Sequence, residues 1–541
     1  MKFFPQNLLF TGALTLVLAV TAFILPALPV WITDNGNKYI IMRNFAEHKT
    51  VKLQHPVPEL APTGGFHIQH HEGALRSFYP EFYPVLCSFF YSKNCERAAS
   101  IPAIAGTLLA AWVVLLWTKS KAAAAFTALG TPLFFYSFVL WEMTLSCAAV
   151  TCALFLLFKK RHPLAAGLII GLSLFLREEA YFVSGSLIFA LLCFREFKSS
   201  LLLFCGIIAG MVPVWLWQYI EFGNILGLHG KTYLAGTGTQ SVSGVLWNYF
   251  HHLLRCEPTG AGYEKYITIV PLVLLFCGSF FRNRKVKFAL LGVMLLSGVV
   301  MLLKYIQTPG ISYAAACSTG LFAAMPACWI FFADLRSSFT RQAKIYRILA
   351  LFAVVYIATV PAVLTRGDVG LIWSARHFIV IAPALVILSA KCAKNIHLQS
   401  IVPFAAAGVF AIAQQLAGIH SLNTVSKESL ALENLIRSHK TQAVISDVFY
   451  LPEMTPRLWF ENTFLDISKP QNAGKLVENM PKNMLLVLSA APQFRRISNQ
   501  DLSRILQKCD IKSAPQRFRM ERGTGFIDLL ILPVSAKEAK L

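Results

Sequence analysis

Two carboxylates and three arginines could do chemistry here, and several of them stand where charge is hard to keep. Asp34 follows the first long apolar run within a few residues, in WITDNGNKYI. An acid that close to lipid is a functional candidate by default, because a desolvated carboxylate must be paired or used. Glu142 lies between two closely spaced apolar runs in LWEMT, and Arg177, beside Glu178 and Glu179, is wedged between two more. Such charges must face a water-filled or protein-lined cavity, not lipid. Arg76, Arg177 and Arg376 each carry a planar fork able to bind phosphate bidentately. Each group also has a plainer reading. Asp34 could be a turn or helix N-cap, with Asn35-Gly36 supplying the bend, Glu142 could sit at a helix start, and Arg177 could simply satisfy Glu178 or Glu179. His67, His70, His71 and Glu72 could hold a divalent metal ion if the segment were helical, since residues three and four apart share a face. A polar loop near lipid headgroups is the commoner outcome for such a cluster. Tyr79, Phe82 and Tyr83, among Pro80 and Pro84, read as interfacial aromatics.

Positioning these residues requires a membrane. Of 541 residues, 56% are hydrophobic and only 14% charged, against roughly 25% charged in soluble domains. The composition describes a polytopic α-helical membrane protein. Its first apolar run, Leu8 to Trp31, exceeds the roughly 7–15 residues of a signal-peptide core and lacks a small-x-small cleavage pattern, so it is expected to remain as a span. Further runs at 98–117, 122–141, 143–158, 163–176, 180–194, 201–220, 265–281, 286–304, 313–333, 346–364, 377–390 and 398–418 bring the expectation to about thirteen transmembrane helices. The run 163–176 makes roughly 21 Å of helix against a hydrocarbon core of ~30 Å, which recesses Arg177 at its end.

Basic residues crowd alternate loops, as in Lys159-Lys160-Arg161 and in Arg282, Arg284, Lys285 and Lys287, while the short opposite loops hold only Arg177, Arg366 and Arg376. By the positive-inside rule the N-terminus is cytoplasmic, and residues 32–97, 221–264 and the C-terminal tail lie outside, as in a bacterial inner membrane. The net charge of +22 is then topology, with a lesser attraction for anionic membrane lipid, and no nucleic acid partner is implied. SGVLWNYFHHLLR (residues 243–255) suits a helix lying at the membrane surface. Twelve cysteines without a CxxC pair indicate neither a disulfide framework nor a zinc site. Residues 1–419 form the expected transmembrane domain, including the outer loop 32–97. Residues 420–541 form a small C-terminal α/β soluble domain, in which helical KESLALENLIRSHK, PQNAGKLVENM and NQDLSRILQKC alternate with strand-like AVIS, MLLVLS and FIDLLIL.

This order of parts resembles the GT-C glycosyltransferases, in the branch that includes protein O-mannosyltransferases and lipid A aminoarabinose transferases. The resemblance covers roughly residues 1–420. It is carried by TDNGNKYI after the first span, YPEFYPVL leading into the next membrane segment, WEMT, GLSLFLREEA, EFGN and WSARHFIVIAP. It implies a GT-C-like fold and an inverting glycosyltransferase that moves a sugar from a polyprenyl-phosphate carrier to an acceptor on the outer face. In that family frame Asp34 and Glu142 are the catalytic acids, and Arg376, Arg177 and Arg76 hold the donor phosphate, while one of the nearby aromatics could stack on the sugar. A lipid-linked donor also accounts for the lack of a GxGxxG or P-loop fingerprint. Asp34-Asn35 stands where the O-mannosyltransferases have an acidic pair, and the acceptor stays open between lipid, polysaccharide and protein. Two rivals come from other classes. A secondary transporter would show repeated halves with paired broken helices, and an envelope assembly protein would not need recessed acids and arginines.

Overall fold

The computed structural model describes residues 3–64, 68–236, 241–249, 252–253, 320–325, 331, 339–340, 342–363, 375–393, 401–478, 480–490, 495–522 and 525–537. They divide into two compact units, one of Met1–Leu25 with Ser100–Ser421 and the other of Pro26–Ala99 with Leu422–Leu541.

Five described helices are long and apolar enough to cross a membrane: Asn7–Ile24, Glu96–Thr118, Met143–Lys160, Phe197–Phe222 and Lys344–Val363. The protein is an integral membrane protein. Pro163–Phe175 and Glu179–Cys193 are apolar but shorter. The expected spans 265–281 and 286–304, most of 313–333, and the loop around Arg366 lie outside the described residues. One expected span takes a different form. The run 122–141 is interrupted: helix Lys121–Leu129 ends at Gly130, and only the short helix Leu133–Tyr136 follows. Thr131-Pro132 explains the break, because proline offers no N–H and disfavours helical backbone in the residue before it.

The first unit is organised by close helix packing. Gly167 and Gly171 of helix Pro163–Leu172 face Gly206 and Gly210 of helix Phe197–Phe222, and a Cβ at any of the four would overlap a backbone carbonyl of the opposing helix. Small residues that admit backbone contact are what membrane helices use, since lipid supplies no hydrophobic force between them. Val183, Leu187, Ile207, Phe352, Tyr356 and Phe378 fill the core of this unit.

The second unit is built on a six-stranded sheet. Its strands, numbered after a hairpin of β1 (Ile68–His71) and β2 (Ala74–Ser77), are β3 (Ala443–Ser446), β4 (Thr463–Asp466), β5 (Asn483–Ser489), β6 (Cys509–Ile511), β7 (Gln516–Arg522) and β8 (Gly525–Ala536). The order is β4-β3-β5-β8-β6, with β7 also on β8. The β4-β3-β5 part is parallel and the rest antiparallel. All four residues of β3 are buried, as a strand covered on both faces requires. AVIS, MLLVLS and FIDLLIL appear as β3, β5 and β8, whereas β4, β6 and β7 were not anticipated.

Residues 32–97, expected to belong with the transmembrane part, group instead with the C-terminal sheet. Ile40, Ile41, Leu53, Ile68 and Leu75 share one core with Val444, Leu485, Val487, Leu529 and Ile531. Helix Thr33–His48 comes so close to the short helix Leu451–Met454 that a Cβ on Gly36 would overlap the Glu453 carbonyl. Gly36 therefore serves close approach inside a helix and not the expected bend. Arg457 adds a polar clasp, donating to Glu96, Glu433 and the Ala27 carbonyl.

Candidate active site

In the second unit the local order of TDNGNKYI is helical. Ile32 is the N-cap of helix Thr33–His48, and its N–H donates to the Asn35 side chain at 3.2 Å. Asp34 is thus not the cap. It stands in the first turn, where the helix dipole favours a carboxylate, and is buried at 8% exposure. Tyr79 Oη donates to its Oδ1 at 2.5 Å. Among the described residues no cation pairs with Asp34, so a neutral hydroxyl alone holds it in place. Lys38, one helical turn on, is 1% exposed with its ammonium 5.4 Å from the Tyr79 ring centre. Asn37 donates to Glu453 at 2.9 Å and accepts from Ser77 at 2.6 Å. Tyr39 donates to Glu96, and burial together with the Glu96 charge pushes its hydroxyl far above the usual tyrosine range.

Arg76, on β2, forms a buried ion pair with Glu81 at 3.3 Å, the two side chains 2% and 1% exposed. His70 and His71 lie on β1, not on a helix, so adjacent side chains point to opposite faces. Glu72 and Gly73, at φ +48° and +76°, form the two-residue turn to β2, matching the left-handed turn that suits hairpins. The helical spacing behind the metal reading is therefore not the geometry found. His67 lies outside the described residues, and among those described no three His, Cys, Asp or Glu side chains come together as a metal site.

In the first unit Glu142 directly precedes helix Met143–Phe155, but its side chain makes no cap. Instead it accepts from Arg177 Nη1 at 3.1 Å. Arg177 follows the turn Ser173–Phe175 and grips Glu179 with both arms of its fork, Nε at 2.7 Å from Oε2 and Nη2 on Oε1. Glu178 pairs with His229 at 2.8 Å. His377 Nδ1 lies 2.9 Å from Glu179 Oε1, and Arg376 Nε donates to His377 Nε2 at 3.2 Å. The Arg376 guanidinium also lies 5.9 Å from the Trp141 ring centre, within cation–π range. Glu142, Arg177 and Arg376 are thereby joined through Glu179 and His377, as a buried charge network must be to persist. Arg177 is held as an ion-pair member, its fork filled by carboxylates.

At the level of sequence the chain matches no protein-family model and no curated protein. Solved structures do match. ArnT from Cupriavidus metallidurans in the apo state aligns with a TM-score of 0.55 at 12% identity, covering 98% of this chain and 97% of that one. The same protein bound to undecaprenyl phosphate gives 0.54 at 11% identity, covering 98% of each chain. The chain has the ArnT fold. ArnT is a lipid A aminoarabinose transferase of GT-C architecture, so the GT-C-like fold expected from the motifs is the fold found, over nearly the whole length.

Within this ArnT-like fold several site residues had escaped the sequence reading. Lys38 had a usable signal, four residues after Asp34 and so on the same helical face. Glu179 was already a candidate partner of Arg177, as found, but only tertiary packing shows that it and His377, which adjoins Arg376, link Arg177 to Arg376. Glu453 meets Asn37 across 416 positions of sequence, and no local pattern points to it.

Proposed function

We propose that this chain is an integral-membrane inverting glycosyltransferase that moves a sugar from a polyprenyl-phosphate carrier to an acceptor on the outer face of the membrane. The observation that carries the reading is Asp34, a buried carboxylate held by a neutral Tyr79 hydroxyl and, among the described residues, by no cation. A general base must keep its lone pairs available, and an ion-paired carboxylate is a weaker one. The ArnT fold, seen in that protein with undecaprenyl phosphate bound, supports a lipid carrier as donor.

In the proposed reaction the acceptor hydroxyl attacks the anomeric carbon while Asp34 takes its proton. The bond from that carbon to the phosphate oxygen breaks, and the lipid phosphate leaves with the electron pair. Arg376 neutralises the charge that develops on the leaving phosphate. Glu142 is the second acid of the site, and Arg177 and Arg76 keep their neighbouring carboxylates in place. The N-terminus is assigned to the cytoplasm and residues 420–541 to the outside of a bacterial inner membrane, from the distribution of basic residues.

Asp34→Asn tests the reading. It keeps size and can still accept from Tyr79 but is not basic, so transfer from a synthetic lipid-phosphate sugar should fall by roughly 10²–10⁴-fold with donor binding largely retained. A folded Asn variant that transfers at close to the parental rate would falsify the assignment.

A further inference from the structure

His377 stands between two charged groups, and one proton on its ring decides what both can do. Its side chain is 8% exposed. Nδ1 faces Glu179 Oε1 at 2.9 Å and Nε2 receives Arg376 Nε–H at 3.2 Å. An ionised carboxylate only accepts, and a guanidinium only donates. A single tautomer satisfies both partners, with the proton on Nδ1 and the lone pair on Nε2. Doubly protonated imidazole would aim an N–H at the Arg376 N–H. Three further contacts surround the pair. Arg177 holds Glu179 from its other side, Tyr356 Oη donates to the His377 carbonyl at 2.7 Å, and the His252 ring stands edge-on at 5.8 Å.

We propose that His377 is a positioning residue for the donor phosphate: with its tautomer fixed by Glu179, its Nε2 holds Arg376 Nε and sets the plane in which the guanidinium meets the phosphate. This rests on the reading of Arg376 as the phosphate ligand. The relay also gives Glu179 and Arg177 a part in donor binding without contact to the donor. A carboxylate that sets which nitrogen of a histidine carries the proton is a recurrent device for aiming the opposite nitrogen.

The two amide substitutions separate this role from simple neutralisation of Glu179. His377→Gln can place its amide oxygen where Nε2 was and keep an acceptor for Arg376, while losing the donor to Glu179. His377→Asn can place its amide nitrogen where Nδ1 was, keeping the Glu179 bond and losing the acceptor. The measurement is binding of undecaprenyl phosphate to the full-length protein in detergent, with thermal unfolding recorded for each variant. We expect His377→Asn to weaken binding about tenfold or more, the scale of a lost hydrogen bond to a charged group, and His377→Gln to weaken it several-fold less. In an Arg376→Ala background, His377→Asn should add little, because it acts through the missing arginine. The opposite order of the two amides, equal effects of both, or an undiminished loss in the Arg376→Ala background overturns the proposal while leaving the phosphate reading intact. Parental binding by Arg376→Ala alone overturns the phosphate reading, and this proposal with it.

Discussion

The two polar clusters manage buried charge in opposite ways. In the first unit Glu142, Arg177, Glu179, His377 and Arg376 form a continuous chain in which the carboxylates are answered by a guanidinium or an imidazole. In the second, Arg76 is matched to Glu81, but Asp34 has a phenol and, among the described residues, no cation. A network answered at every link is rigid and costly to interrupt. Under the proposed function, orientation falls to one cluster and proton transfer to the other, and the contrast can be attacked from either side.

The largest effect should come from Arg177→Gln, which leaves Glu142 and Glu179 buried without their common cation. Breaking one partner out of a buried ion network typically costs about 3–5 kcal/mol, so thermal unfolding should show a large loss. Asp34→Asn, which removes no ion pair, should change stability by less than ~1 kcal/mol. Similar losses in both variants would erase the distinction drawn between the clusters. Glu142→Gln is milder, because Glu179 still holds Arg177. One hydrogen bond to a charged group is weakened, at about 1.5–3 kcal/mol or less, and a loss equal to that of Arg177→Gln would mean the network is not shared.

Gly36→Ala tests the frame around Asp34. Its methyl group would overlap the Glu453 carbonyl, and overpacking of this kind costs roughly 1–3 kcal/mol. Unchanged unfolding together with unchanged transfer would show that the helix pair can part without consequence.

The smallest effect concerns pH. Burial raises the carboxyls of Asp447, just after β3, and Asp466, at the end of β4, above their ordinary values, against backbone hydrogen bonds that lower them. Raised folded values mean that the native state binds more protons than the unfolded one between the two values. The stability contributed is therefore full below the unfolded value of about 4 and is lost as pH rises through the folded value. Glu47, held below its ordinary value by Arg43 and Lys93 despite partial burial, works in the opposite sense, its contribution being lost as pH falls. Melting temperature followed upward from about pH 4 should decline, and Asp447→Asn should flatten the decline. A slope unaffected by that substitution would remove Asp447 as its source.

What could be read from the sequence follows the range of the interactions. Apolar runs identify spans because lipid acts on each helix by itself, and AVIS and MLLVLS declare strands because both their faces are covered. Thr131-Pro132 was passed over within an apolar run, although proline is a local signal. The Thr33–His48 helix was hidden for the opposite reason. Asn35-Gly36 is turn-forming in isolation, and only packing against Glu453 makes a helix with glycine at that place worthwhile. Asp34 stood out as a charge close to lipid, and Arg376 through the motif WSARHFIVIAP. Their partners Tyr79 and His377 did not, since a tyrosine near a proline and a histidine beside an arginine look the same whether they hold a buried charge or nothing.

The second unit is assembled from two stretches of chain, 26–99 and 422–541, with more than three hundred residues between them. During synthesis the earlier stretch emerges long before the strands that will bury Ile40, Ile41 and Leu75. At about 5–20 residues per second the interval is on the order of tens of seconds. Over that time Ile40, Ile41 and Leu75 lack the partners that Val444, Leu485, Val487, Leu529 and Ile531 supply, and the β1–β2 hairpin has no six-stranded sheet beside it. A two-stranded hairpin is at best marginally stable alone, so the surroundings of Asp34, the proposed base, are completed only after β3 to β8 are made. Under the proposed function, truncations that remove β8 should abolish transfer even though every proposed catalytic residue is still present.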